Sequence, residues 1–181
     1  MSKLETNTID TISGSTTLTL GGTNANAITI PSGVTLTNNG TASGFGKVLQ
    51  VVSATDSTQR STTSTSFVTA SNTLSVSITP SSASNKILIL ASSCVRCQGD
   101  NGFYTIFRGA TDLGAISNKG LAATYDGAVN VEANIGINYL DSPSTTSATT
   151  YQLYFRSGTV VTNTINMNSS KGSITAIEIQ G

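Results

Sequence analysis

Between Val129 and Tyr139 the sequence shows a strict alternation of two residue types. Every odd position carries an apolar or aromatic side chain, whereas the even positions carry Asn, Glu or Gly. A period of two residues is the repeat of a β-strand with one buried face. We therefore predict a strand whose odd-numbered face lines the core. Its Asn-rich face is expected to meet solvent or a neighbouring subunit.

Similar strand signals continue through the second part of the chain, and no segment shows the helical period of 3.6 residues. Lys86–Cys97 begins with a nearly continuous apolar run, which is typical of a central strand covered on both faces. About eight strands at regular spacing predict an all-β fold, an antiparallel sandwich or jelly roll. The predicted strands are Lys47–Ala54, Leu74–Ile78, Lys86–Cys97, Phe103–Arg108, Val129–Tyr139, Tyr151–Phe155, Ile165–Met167 and Ile174–Ile179.

Residues 1–45 have a different pattern, in which apolar–Thr–apolar triplets alternate with turn signals such as Asn38-Asn39-Gly40. A triplet is too short to bury its apolar face alone, whereas three copies around one axis would bury these faces against each other. We predict an N-terminal β stalk over residues 1–45, ordered by trimerisation, and a jelly-roll head over residues 46–181. A disordered N-terminal arm is the alternative. The stalk residues expected to pack are Leu18, Leu20, Ile28 and Ile30.

The last predicted strand, Ile174–Ile179, is apolar almost to the end of the sequence. Such a strand should be held inside a sheet or at a subunit interface. We therefore expect Ile174, Ile177 and Ile179 to pack in the core or between subunits.

Charge and hydropathy exclude two classes of partner. The chain has 9 basic and 9 acidic residues with no basic run, so nucleic-acid binding is not expected. The longest apolar run, Ile87–Ala91, is far shorter than the ~20 residues of a membrane helix, so membrane insertion is not expected. The first residues lack the apolar segment of a secretion signal, which predicts synthesis in the cytosol.

The sequence also argues against catalysis. It contains no His, which excludes imidazole bases and ligands. Its acidic residues are scattered, and its glycines follow no phosphate-binding or dinucleotide-binding pattern. We predict no catalytic, cofactor-binding or metal site, and no cofactor. A glycosidase-like pair of carboxylates brought together by folding remains the enzymatic alternative.

Cys94 and Cys97 form the one motif that suggests chemistry, because a C-x-x-C can be a redox motif or half of a zinc site. They lie in a predicted strand, where residues three apart point to opposite faces. This geometry opposes a disulfide between them and joint ligation of one metal. We expect one Cys in the core and the other at a surface or interface.

Two segments resemble a known family. Asn7-Thr-Ile-Asp-Thr-Ile-Ser-Gly14 and Thr17-Leu-Thr-Leu-Gly-Gly-Thr23 are similar to the N-terminal segments of bacteriophage fibre and virion appendage proteins, particularly those of cyanophages. Gly46-Lys-Val-Leu-Gln-Val-Val52, with the closing Ile174–Ile179, resembles the trimeric jelly-roll heads of such fibres, which are of the C1q/tumour-necrosis-factor type. The resemblance implies a homotrimer located in the virion, and it supplies no catalytic residues.

Two functions follow as expectations. The first is a structural virion protein, a short fibre or capsid-decoration protein, whose N-terminal segment docks on a phage capsid or tail protein. The second is a tail-associated receptor-binding module in which head loops recognise host surface glycan. The candidate ligand-facing residues lie in and next to the segment 112–125, namely Asp112, Tyr125 and Asp126. The five tyrosines are candidates for a sugar-stacking surface, although core packing is the competing interpretation.

Overall fold

The computed structural model of the chain describes Ser32 and residues 48–115, 119–125 and 130–181. The chain divides into two units, Met1–Phe45 and Gly46–Gly181, and all described residues except Ser32 lie in the second. The predicted stalk residues Leu18, Leu20, Ile28 and Ile30 lie outside the described residues.

The all-β prediction is confirmed, because the described residues form β-strands, one short 3-10 turn and no α-helix. The strands, in chain order, are β1 (Val48–Asp56), β2 (Arg60–Thr62), β3 (Val68–Thr69), β4 (Ser75–Ile78), β5 (Lys86–Cys97), β6 (Gly102–Arg108), β7 (Thr111–Asp112), β8 (Ala122–Thr124), β9 (Val131–Asp141), β10 (Thr149–Ser157), β11 (Asn163–Ile165) and β12 (Gly172–Ile179).

These strands form two antiparallel sheets of six strands each. In the first sheet β5 is central, with β9 along one edge and β12 and β11 sharing the other. Outside these, β1 pairs with β12 and β2 pairs with β11. In the second sheet β10 is central, with β6 on one side and β3 and β4 on the other. The short strands β7 and β8 extend the sheet beyond β6.

The two sheets share one hydrophobic core, which makes the architecture a β-sandwich. Alternate residues of each strand point into it, as the period-two pattern predicts. In β9 the odd-numbered Ile135 and Ile137 are buried, while Asn134 and Asn138 are exposed. Burial of each such aliphatic side chain contributes about 1.5–3 kcal/mol.

Two strand predictions need correction. The strand expected over Ile165–Met167 ends at Ile165, because Asn166 adopts a left-handed backbone with φ of 50° and Met167 begins a 3-10 turn. Asn is one of the few residues that adopts this conformation at low cost. The central position of β5 is confirmed, but its outward face is not fully covered, since Leu88 and Leu90 are half-buried.

Candidate functional site

The predicted packing residues of β12 lie on two different faces of the first sheet. Ile174 is fully buried in the core, whereas Ile177 and Ile179 point outward and are half-buried. The split follows from the strand geometry, because residues three or five positions apart in a strand face opposite sides.

Ile177 belongs to a continuous apolar row that crosses four strands on the outward face of the first sheet. Val51 pairs with Ile177, Ile177 with Leu88, and Leu88 with Leu140. Directly paired residues have Cβ atoms about 4.5–5.5 Å apart, so these side chains are in contact range. Val51 is 58% exposed and Leu140 is 51% exposed, so both ends of the row face solvent in the single chain. We call these four residues the apolar row.

The apolar surface extends from this row towards the beginning of β1. Val48 pairs with Ile179, and both Val48 and Leu49 are largely exposed. In the opposite direction the surface becomes polar, since Leu90 pairs with Thr175 and Asn138. The apolar side chains are therefore concentrated at the end of the sheet where the head begins. Apolar surfaces of this kind commonly mark protein–protein contacts.

A second surface lies on the outward face of the other sheet. It is a cleft of about 500 Å³ that we call the aromatic pocket. The pocket is lined by Thr65, Ser66, Phe67, Phe107, Asp112, Ala115 and Arg156. The predicted ligand-facing residue Asp112 thus lies in a cleft with aromatic and charged neighbours.

The aromatic rings of the pocket are held against one another by the register of β6 and β10. Phe107 stacks on Tyr154 with ring centroids 4.0 Å apart and planes inclined by 24°. Phe67 meets Phe107 edge to face, with centroids 6.3 Å apart. Both are favourable aromatic geometries that restrict ring motion. The apolar part of the pocket wall is therefore formed by aromatic rings that pack against one another.

Arg156 lies opposite Phe103 in the sheet and packs over two rings. Its guanidinium carbon is 4.3 Å from the ring centroid of Phe103 and 5.3 Å from that of Phe67. The guanidinium also donates a hydrogen bond of 3.3 Å to the backbone carbonyl of Thr65. Burial lowers the pKa of Arg156. The side chain nonetheless carries its charge at neutral pH, because an arginine begins with a pKa above 12.

Asp112 is fixed by hydrogen bonds to one of its two carboxylate oxygens. Its Oδ1 accepts from Thr105 Oγ1 at 2.6 Å and from the backbone N–H of Gly114 at 2.8 Å. Gly114 permits this turn, because a Cβ there would lie 2.7 Å from the Thr105 hydroxyl and 2.8 Å from the backbone of Gly120. Among the described residues, none donates a hydrogen bond to Asp112 Oδ2.

Tyr125, another predicted ligand-facing residue, is not among the residues that line this pocket. Tyr125 is 60% exposed, and its ring meets Phe103 edge to face and Lys119 Nζ at 5.5 Å. Tyr125 therefore flanks Phe103 but does not line the cleft. Asp126 lies outside the described residues. Of the other tyrosines, Tyr104 and Tyr151 are fully buried, as the core-packing interpretation predicts.

The sequence does not single out the most buried carboxylates. Glu178 is fully buried, and its oxygens accept hydrogen bonds from Gln50, Ser81 and Asn85. Although burial raises its pKa, these donors lower it to about 2. Asp141 is 5% exposed and is held by Arg108 and Tyr151. Hydrogen bonds from these neighbouring residues hold both carboxylates in place, so Glu178 and Asp141 have a structural role.

Cys94 and Cys97 lie as expected on opposite faces of β5. Cys97 is buried, with Sγ 3.7 Å from Ser157 Oγ, while Cys94 is on the outward face and half-buried. Within the described ranges, no group of three or more His, Cys, Asp or Glu residues is arranged to hold a metal ion. The described part of the chain also has no helix with the length and apolar character needed to cross a bilayer.

Comparison with known proteins gives no assignment. No protein-family model matches the chain, and a search of the curated proteins found no match.

Proposed function

We propose that this protein is a non-enzymatic structural protein of a bacteriophage virion, a short homotrimeric fibre or capsid-decoration protein. Its N-terminal segment anchors it to a capsid or tail protein, and a jelly-roll head projects from the particle. The main observation in support of a trimer is the apolar row Val51–Ile177–Leu88–Leu140. The row crosses four strands of the first sheet and contains no charged side chain.

The apolar surface of the row continues beside Val48, whose side chain and that of Leu49 are exposed. This continuous apolar surface supports the proposal that neighbouring heads meet there.

The free energies of side-chain burial and of association favour a trimer in which both the head and the stalk contribute contacts. Burying the part of the four side chains that is still exposed contributes at most roughly 1 kcal/mol per side chain. Association costs about 4–15 kcal/mol in lost translational and rotational freedom. The row alone is therefore too small to hold a tight trimer, and the stalk must supply the remaining stabilisation.

A structural role is also supported by the chemistry of the described residues. The sequence has no His, and the buried Glu178 and Asp141 are saturated by hydrogen bonds that a catalytic acid or base would need to release. The phage assignment draws on the resemblance of the N-terminal segments and on the two-sheet architecture of the head.

Three experiments test this proposal. Mass photometry of the purified full chain should give particles of three chains, and a stable monomer would contradict the trimer. Quantitative mass spectrometry of purified phage particles should find the chain at a copy number divisible by three. Particles that retain the head after deletion of residues 1–45 would show that the anchor lies elsewhere.

A further inference from the structure

We propose that the aromatic pocket on the second sheet is a binding site for a neutral sugar ring. The pocket is on the opposite sheet from the apolar row, and the inference does not depend on the trimer. Its volume of about 500 Å³ falls within the range of roughly 300–1,000 Å³ that is usual for small-ligand sites.

The walls of the pocket match the two kinds of surface that a pyranose ring presents. A sugar ring has an apolar face of C–H groups, which packs on an aromatic ring, and an edge of hydroxyl groups. Phe67 and Phe107 supply aromatic surface. The exposed Thr65 and Ser66 place hydroxyl and backbone groups at the rim.

Asp112 supplies the directional contact. Thr105 and Gly114 hold Oδ1, so the orientation of the carboxylate is set before a ligand binds. Oδ2 is then an acceptor for a ligand hydroxyl, in a charge-assisted hydrogen bond that is stronger than a neutral one. Because the carboxylate is already ordered, binding does not have to immobilise it.

The described residues that line the pocket carry balanced charges, with the carboxylate of Asp112 and the guanidinium of Arg156 as the ionised groups. Such a pair gives no net attraction for an anion or for a cation, which favours a ligand without net charge. A polyol has no net charge, and its hydroxyl groups can donate a hydrogen bond to the carboxylate of Asp112 and accept one from the guanidinium of Arg156.

Saturation-transfer NMR on the full chain tests the proposal directly. The probes are glucose, galactose, mannose, N-acetylglucosamine, maltose and lactose, each titrated to millimolar concentrations. We expect transfer to the ring C–H protons of at least one sugar. No transfer from any of them would overturn the proposal, as would protection of the pocket by a second copy of the chain in solution.

Two variants locate the binding. Asp112→Asn keeps an Oδ1 acceptor for Thr105 and Gly114 but replaces Oδ2 by a donor, and it should weaken binding about tenfold. Phe67→Leu keeps an apolar side chain but removes the ring, and it should weaken binding by a similar factor. Glu132→Gln, on the opposite sheet, is the matched control and should bind like the parent. Unchanged affinity in both pocket variants, with unfolding midpoints like the parent's, would overturn the assignment.

Discussion

The side-chain amide of Asn85 donates a hydrogen bond of 2.6 Å to the carboxylate of Glu178, and neither residue is more than 3% exposed. Asn85 lies just before β5 and Glu178 lies in β12, so the bond joins two neighbouring strands at the end of the first sheet. Gln50 in β1 donates to the other carboxylate oxygen at 2.6 Å. One buried charge therefore ties three strands together.

Replacing Glu178 with Gln should destabilise the head. The new amide nitrogen faces donors instead of acceptors, and an unsatisfied buried group costs about 1–3 kcal/mol. Urea unfolding at pH 7 should show this loss. Glu132→Gln is the control, because that side chain is 45% exposed and should change stability by less than about 0.5 kcal/mol.

The cost of Glu178→Gln should depend on pH. The pKa of Glu178 is lowered from 4.5 to about 2, so its carboxylate stabilises the fold fully above pH 4.5. That contribution is lost as the pH falls through about 2. The difference in unfolding free energy between parent and variant should therefore shrink on acidification. A difference that stays constant between pH 6 and pH 2.5 would mean that Glu178 does not titrate as described.

Tyr151→Phe tests the second buried network. The Tyr151 hydroxyl donates to Asp141 Oδ2 at 2.6 Å. Burial and the neighbouring Asp141 raise the pKa of Tyr151, so the phenol stays a donor over the working pH range. Losing this bond should cost about 1–2 kcal/mol, since Arg108 still binds both carboxylate oxygens. Tyr125→Phe, at an exposed position, should leave the unfolding midpoint unchanged. Equal midpoints for the two variants would contradict the network.

The long strands of the fold could be predicted from the sequence because each spans enough residues to show the period of two. In β9 the apolar positions Ile135 and Ile137 are those found in the core. The strands β3 and β7 have two residues each, which is too few for any period. These two strands form only because they pair with β10 and β6, so they cannot be predicted from the local sequence.

The direction in which the Glu178 side chain points is not the one that residue polarity alone would predict. Apolar character suggests that the Ile residues of β12 are the inward ones, yet Ile177 and Ile179 face outward and Glu178 inward. The signal was present, because Ile174, Ala176 and Glu178 share one face by the period of two. The hydrogen-bond donors to the Glu178 carboxylate could not be predicted from local sequence, because they lie about 93 to 128 positions away in the chain.

The pocket was only partly predictable for the same reason. The loop position of Asp112 is visible in the sequence, but the aromatic neighbours of Asp112 come from separate strands. Phe107 and Tyr154 stack only because β6 and β10 pair in one register. A shift of one residue would move one of them to the other face of the sheet.

A fragment that begins at Gly46 should remain folded, because the described core is formed entirely by residues after that position. Circular dichroism should show a β spectrum and a cooperative thermal transition. If the full chain forms the proposed trimer, the fragment should dissociate at concentrations where the full chain stays assembled, since the apolar row alone does not offset the cost of association. A fragment that trimerises as tightly as the full chain would contradict the role assigned to the stalk.

Two substitutions in β12 distinguish folding from assembly. Ile174→Asp places an unpaired carboxylate in the core and should prevent folding. Ile177→Asp places it on the outward face, so the single chain should keep its β spectrum. The charge would sit in the middle of the apolar row and weaken association. If the parent forms the proposed trimer, sedimentation velocity should show monomers for Ile177→Asp at concentrations where the parent stays assembled.

Asn138→Asp is the matched control for this pair. It adds the same charge to the outward face of the same sheet, at an exposed position outside the apolar row. We expect it to assemble like the parent, because no apolar contact is lost. If Ile177→Asp and Asn138→Asp assembled equally well, the row would not be the subunit contact. If both dissociated, net charge alone would account for the effect, and the interface would have to be sought elsewhere on the head.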